Sequence, residues 1–552
     1  MDSRQYGRYS SVVVSAKCWA IAGLTFAIAA VLLFANLGHN ALWDDEAVTA
    51  LAGEGVWRTG DTSVVLDHNV VAYRSGLLLQ GTHERSTPPL GAYVAAPFVG
   101  IFGGSAFAVR FPFALFGLGS VTLILIWLYT LRAGWLTWLL VGMAIIGNVS
   151  LWLFSRQCRY YSPVIFSSIL IAFIYVNYSG KRWQLVLMAI AGLILLAGNY
   201  LNYLALHVCL LIDYVLVGRK RRWLGVWEWT IVLLPQIILG GMIVLIWNTL
   251  RTGNQEYLVG NTFLQRLQLV WMNLRDINAS EYGVGLLIVA AVGVYFIKRD
   301  QPWLWRGPLA LLVYVVVVSM LSPQLLVPPP LYADIRYLAP VIPLGMAIGV
   351  MTLLQARQLH VAVPIVLGVV CFGSNLLNGS WFTSDIPPRS TLLSYIGDLM
   401  DPPPEPYTPA IEWIKKNVRP MESIWIVPDF MTYPLMYHAP HAVYAWQFKQ
   451  LPPAFSRLPD IHISGKLPPK FVMFFGPAQH GVTGLQSKIT IANNPFELTD
   501  ILRVYGADMY RPELVWHHFG SISLSEDQVA MGQAVYVFRR VETGLGLPGF
   551  NQ

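Results

Sequence analysis

The sequence predicts a polytopic α-helical membrane protein of about 11–13 transmembrane helices, at roughly 20 residues per span, carrying a C-terminal extracytoplasmic α/β domain. Three observations predict it. Hydrophobic residues make up 55% of the 552-residue chain and charged residues only 12%. The mean hydropathy is +0.52. Apolar runs near span length recur up to about residue 380, where the composition turns polar and proline-rich. A soluble fold is excluded by that composition.

The net charge of +7 does not imply nucleic acid, because the basic residues are scattered at the ends of apolar segments instead of gathered on one soluble face. They read as topology signals. Four cysteines, Cys18, Cys158, Cys209 and Cys371, lie in or beside apolar segments without pairing or metal-ligand spacing, and read as packing residues.

Taken in order, Arg4, Arg8 and Lys17 precede a first apolar run, 18–38, that is too long for a signal peptide's apolar region. It reads as an uncleaved anchor with a cytoplasmic N-terminus. A first external loop, 38–89, follows and contains Trp43-Asp44-Asp45-Glu46 at the start of an amphipathic helix over 47–57. One or two carboxylates are ordinary partners for a helix N-terminus. Three beside a bilayer cost desolvation energy and add nothing to insertion, which points to chemistry.

Arg132, Lys181-Arg182, Arg219-Lys220-Arg221-Arg222, Lys298-Arg299 with Arg306, and Arg357 each lie between apolar segments. All are cytoplasmic if the intervening loops 155–161, 199–203, 248–282 and 322–337, and everything after residue 377, are external. Between the acidic loop outside and Arg132 inside, an odd number of crossings is required. Residues 90–108, rich in Gly and Pro, therefore lie along or dip into the outer interface, while 110–131 cross and leave Arg110 at the outer face. Two crossings with a misread Arg132 is the alternative.

Beyond residue 378, Pro387-Pro388 and Pro402-Pro403-Pro404 mark a linker, 381–407, before a domain over 408–552. There the pattern predicts a helix over 408–417, strands over 423–428, 470–476 and 534–539, and a helical segment near 494–506.

Several arginines stand on the outer side, against the usual bias. Arg156 and Arg159 sit with Tyr160-Tyr161, and Asp334-Ile335-Arg336-Tyr337 follows the proline-rich 327–330. Snorkelling explains any one of them. Arg110, Arg159 and Arg336 together point to an anionic site, since a guanidinium grips a phosphate by two parallel charge-assisted hydrogen bonds.

The order WDDEA (43–47), Thr59-Gly60-Asp61, TPPLGAY (87–93), FGGSAFAVRFPFALFG (102–117), SRQCRYYS (155–162) and RYLAPVIPL (336–344) resembles the GT-C superfamily of integral-membrane glycosyltransferases. It is most similar to the branch of protein O-mannosyltransferases, lipid A aminoarabinose transferases and rhizobial lipopolysaccharide glycosyltransferases. The likeness covers roughly residues 15–380 and assigns 1–380 to a GT-C-like membrane domain. It implies inverting sugar transfer from a polyprenyl-phosphate donor to a lipid, glycan or protein acceptor, at the outer face of a bacterial inner membrane and among membrane lipids, with no nucleic acid.

By the same resemblance Asp45, flanked by Asp44 and Glu46, is the general base, and Arg110, Arg159, Arg336 and Arg156 hold the donor phosphate. His83, Arg85, Tyr160 and Tyr337 contact substrate; His83 or Arg85 would replace a basic residue that many relatives carry where this chain has Thr87. No cofactor is required and no protein metal site is implied, although a divalent ion could bridge Asp44 or Asp45 to the phosphate. No Gly-rich loop for a nucleotide sugar occurs, in keeping with a lipid donor. The rival class is a polyprenyl-linked lipid or sugar transporter or flippase, which would place ionisable groups near mid-membrane and show repeats. A purely structural subunit leaves the acidic loop without a role.

Overall fold

The computed structural model describes residues 15–77, 79–218, 224–247, 262–280, 302–322, 335–378, 388–402, 405–476, 487–503 and 534–541. The basic cluster 219–222, Lys298-Arg299, the proline-rich 327–330, Asp334 and residues 248–261 and 281–282 of the predicted loop 248–282 lie outside the described residues.

The chain is a polytopic helical membrane protein with an α/β C-terminal domain. Among the described residues five helices are long and apolar enough to cross a bilayer: Ala16–Phe34 (α1), Ala106–Thr130, Tyr200–Val217, Val226–Ile246 and Ile335–Gln358. α1 is apolar all round, with Leu24 and Val31 exposed as lipid-facing residues are. The pair Trp135–Gly147 and Val149–Ser155 is bent by 59°. Asn148 makes the break, its side chain accepting the Leu151 N–H at 2.7 Å and so capping the second piece as a new helix. Shorter apolar helices include Tyr161–Val176, Arg182–Gly198, Trp305–Leu321 and Ala362–Gly373.

α2 (Asp44–Thr59) starts at the acidic cluster and stops at Gly60, whose φ of +81° only glycine adopts without strain. α3 (Leu90–Phe102) has 13 residues and is therefore about 20 Å long, short of the ~30 Å apolar core. It packs against α2 through small residues: a Cβ on Gly53 would come within 3.0 Å of the Ala95 Cβ. α4 (Ala106–Thr130) begins beneath it, its first turn capped by Ser105, whose hydroxyl accepts the Ala108 N–H at 3.2 Å.

The C-terminal domain opens with the helix Tyr407–Asn417 and carries a six-stranded sheet. Its strands are β1 (Ser423–Val427), β2 (Val443–Tyr444), β3 (Phe471–Phe475), β4 (Lys488–Ile491), β5 (Asn494–Arg503) and β6 (Ala534–Arg540). The order is β2-β1-β3-β6-β5-β4, parallel from β2 to β3 and antiparallel beyond. Every side chain of β3 is buried, as expected of a central strand covered on both faces. The helix expected near 494–506 is instead strand β5. Ala492 and Asn493 both have positive φ, +47° and +62°, and form the two-residue hairpin turn that pairs β4 with β5.

The first external loop and this domain share one apolar core. Leu42, Trp43, Ala47, Leu51 and Val70 pack with Tyr407, Ile411, Ile426, Leu435, Phe448 and Met473. Asn69 locks the joint: its Nδ2 donates to the carbonyls of Pro440 (3.1 Å) and Ala442 (2.9 Å), and its Oδ1 accepts the Tyr444 N–H at 2.9 Å. Gly76 has φ +79° and lies so close to Phe448 that a Cβ would meet the ring at 2.7 Å. The Leu42 N–H donates to His438 Nε2 at 3.1 Å, two residues before α2 begins. The acidic N-terminus of α2 is thus held between the membrane helices and the sheet domain.

Candidate active site

At the start of α2 the three neighbouring carboxylates meet three different surroundings, because successive helix residues point about 100° apart. Glu46 is fully buried and paired with Arg110 through two parallel bonds, Nε to Oε1 at 2.9 Å and Nη2 to Oε2 at 2.6 Å. It also accepts the Cys158 N–H at 2.7 Å. The remaining Arg110 N–H groups donate to the carbonyls of Leu37, Asn40 and Ala41 at 3.1, 2.9 and 2.9 Å. All five guanidinium N–H groups are therefore used within the protein, unlike those of an arginine free to grip a phosphate as the sequence suggested. Arg110 and Glu46 latch the α1–α2 connection to α4.

Asp45 points the other way and is half-buried. Its Oδ2 lies 3.0 Å from Arg159 Nη2 and 3.2 Å from Arg336 Nη1. Arg159 is steadied by two further bonds from Nη1, to the Asp45 carbonyl and the Thr49 hydroxyl, both 3.1 Å. Its Nε is buried and makes no hydrogen bond. The guanidinium carbons lie 5.7 Å from the Tyr160 ring centre for Arg159 and 5.1 Å from the Tyr337 ring centre for Arg336. The tyrosines thereby fix where the two cations sit. Residues far apart in the chain, 45, 159 and 336, converge on one carboxylate oxygen.

Asp44 is buried between α2 and the C-terminal domain. Its Oδ1 makes no hydrogen bond. Burial, then the neighbouring Asp45, raises its carboxyl well above the usual carboxylate range, against the opposing pull of Arg159. Asp429, from the turn Asp429–Met431 of the C-terminal domain, adds to that rise.

Arg156 Nη1 donates to the carbonyls of Leu32 (3.0 Å) and Leu33 (2.9 Å), the end of α1, where a cation balances the helix dipole. Arg85 grips Asp61 through two bonds, 2.7 and 2.6 Å, and donates to Thr62 at 2.8 Å, while its guanidinium carbon lies 4.6 Å from the Trp247 ring centre. The Arg85 bonds hold the Asp61 carboxyl down at about 2. His83 lies 3.6 Å from the same carboxylate. Among the described residues no hydrogen bond or ion pair joins this cluster to Asp45, Arg159 or Arg336. Sequence reasoning missed Thr49, Asp429, Tyr73, Tyr407 and Tyr433, which surround Asp44 and Asp45. No local pattern distinguishes them from packing or turn residues.

The chain is similar to the crystal structure of ArnT from Cupriavidus metallidurans bound to undecaprenyl phosphate, with a TM-score of 0.55 over 95% of this chain and 98% of that one. Apo ArnT from the same organism gives a TM-score of 0.51 over 86% and 96%. Sequence identities are 12% and 13%.

The chain has the fold of ArnT.

No family model and no curated protein sequence matches it. In this fold the Asp45 centre stands where α2, the short helix Val149–Ser155 with its following turn, and the start of Ile335–Gln358 meet under the C-terminal domain.

Proposed function

We propose that this chain is a glycosyltransferase that moves a sugar from a polyprenyl-phosphate donor to an acceptor hydroxyl, with inversion, at the outer face of a bacterial inner membrane. The observation that carries the reading is the single carboxylate of Asp45 held by two guanidinium groups, Arg159 and Arg336, at 3.0 and 3.2 Å. That arrangement supplies a base and a phosphate clamp at one point. The ArnT-like fold supports it, and ArnT has been crystallised with undecaprenyl phosphate.

In this mechanism the donor phosphate competes with Asp45 for the two arginines, so donor arrival loosens the carboxylate from its ion pairs. The acceptor oxygen then forms a bond to the anomeric carbon as the carbon–oxygen bond to phosphate breaks, and Asp45 takes the acceptor's proton. Polyprenyl phosphate leaves with added negative charge. Fixed cations contribute more to that transition state than to the ground state, since the charge they face grows as the bond breaks. Tyr160 and Tyr337 position the arginines. Among the described residues no three His, Cys, Asp or Glu side chains are grouped as metal ligands would be.

The test is purified protein in nanodiscs with a labelled polyprenyl-phosphate sugar and a membrane extract. Label passing to an acceptor with equal release of polyprenyl phosphate is the expected result. Movement of the intact sugar lipid between leaflets without cleavage would establish the transporter reading instead.

A further inference from the structure

On the side of this centre that faces the C-terminal domain, two buried polar atoms, Asp44 Oδ1 and Tyr433 Oη, make no hydrogen bond to any described residue. Folded proteins pair nearly all such atoms, so two orphans in one neighbourhood mark groups kept for something that binds. They are neighbours: the charge of Asp44 bears on Tyr73, Tyr407 and Tyr433, and that of Asp429 on Tyr73 and Tyr433. The Tyr73 and Tyr433 rings lie 5.6 Å apart, inclined by 49°. Asp44, Tyr407 and Tyr433 form a buried floor, while Tyr73 is half-buried and Asp429 exposed at the rim.

We propose that Asp429 and Tyr433 of the C-terminal domain, with Tyr73 and Asp44 of the first loop, form an acceptor subsite for the hydroxyl groups of a neutral glycan. The inference rests on the transferase reading and assigns the C-terminal domain its part in it. The chemistry selects the acceptor class. Asp429 at the rim disfavours an anionic acceptor. A serine or threonine hydroxyl on a peptide needs one partner, whereas this surface offers several hydrogen-bonding groups around two inclined aromatic rings. A sugar presents hydroxyls to the former and C–H faces to the latter. Asp44 adjoins Asp45 in the chain, so an acceptor held here has a hydroxyl beside the base.

The test uses the full chain in nanodiscs and the variants Tyr433→Phe, Tyr73→Phe and Asp429→Asn. Binding of undecaprenyl phosphate reads the donor side alone and should be the same in all three as in the wild type. A wild type that does not bind it counts against the transferase reading, not against this surface. The thermal midpoint of Tyr433→Phe should equal or exceed that of the wild type, because an unpaired buried hydroxyl is deleted. A lower midpoint would make that hydroxyl structural and overturn the assignment. Maltotriose is then titrated beside a serine- and threonine-containing peptide and inorganic phosphate. Wild-type binding of maltotriose, weakened about five- to tenfold in each variant, is expected from the loss of one hydrogen-bonding group. Preference for the peptide or phosphate, no binding of maltotriose, or equal binding by the variants would refute the subsite.

Discussion

An arginine at the outer edge of a membrane protein can grip a ligand or brace the fold, and the count of its satisfied N–H groups separates the two. Arg110 has all five in use, so Arg110→Met should unfold the latch with Glu46 and cost about 3–5 kcal/mol, the usual penalty for stranding a buried charge. The double variant Arg110→Met with Glu46→Leu should recover much of that. Thermal midpoints check both, and an Arg110→Met protein of normal stability would return Arg110 to the phosphate set. Arg336 carries the opposite expectation. Arg336→Lys replaces a planar fork by a point charge and should weaken undecaprenyl phosphate binding roughly tenfold, with Arg336→Ala weaker still, as charge-assisted bonds are lost. Equal binding by both variants would remove Arg336 from the clamp. At this scale the sequence was informative about residue type and side of the membrane: Asp45, Arg159 and Arg336 were legible as charges on the wrong side. It could not distinguish them from Arg110 and Arg156, because the carbonyls that those two arginines bind, at the end of α1 and in the turn after it, leave no side-chain signature.

Among the elements, α2 depends on its dock against the C-terminal domain, and His438 makes that dock sensitive to acid. Its neutral ring accepts the Leu42 N–H, and burial, then Arg110, lowers its pKa from 6.5 to about 4. A folded-state pKa below the unfolded one means that the unfolded chain takes up the proton first. The stabilisation is complete above about pH 6.5, is lost as pH falls toward 4, and is worth up to about 3 kcal/mol. Proteolysis of the domain should therefore accelerate across that window, and His438→Gln should flatten the dependence; a wild-type profile in His438→Gln would contradict the role. The helix Tyr407–Asn417 and strands β1, β3 and β6 were legible from periodicity and turn residues. Strand β5 was not, because its hairpin turns on Ala492-Asn493 instead of a glycine pair, and the mixed pattern of 494–503 suits a helix about as well. The shared core of the first loop and the domain has no local signal at all, since Asn69 and its partners at 440–444 meet only in the folded chain.

For the whole molecule, charge parity places Lys416 outside and the cluster 219–222 in the cytoplasm. All four native cysteines are buried, so introduced ones can be read above a low background. Lys416→Cys should react with an impermeant thiol reagent on sealed cells, and Lys220→Cys only after permeabilisation; reaction at position 220 from outside would overturn the topology. The central claim is that Asp45 acts as base between two arginines that hold the donor. It is tested most directly by a pair of readings on Asp45→Asn in nanodiscs, single-turnover sugar transfer and undecaprenyl phosphate binding. Transfer should fall by about a hundredfold or more while binding is kept or strengthened, because the arginines lose their competing carboxylate. Wild-type transfer in Asp45→Asn, or loss of binding equal to the loss of transfer, would contradict it.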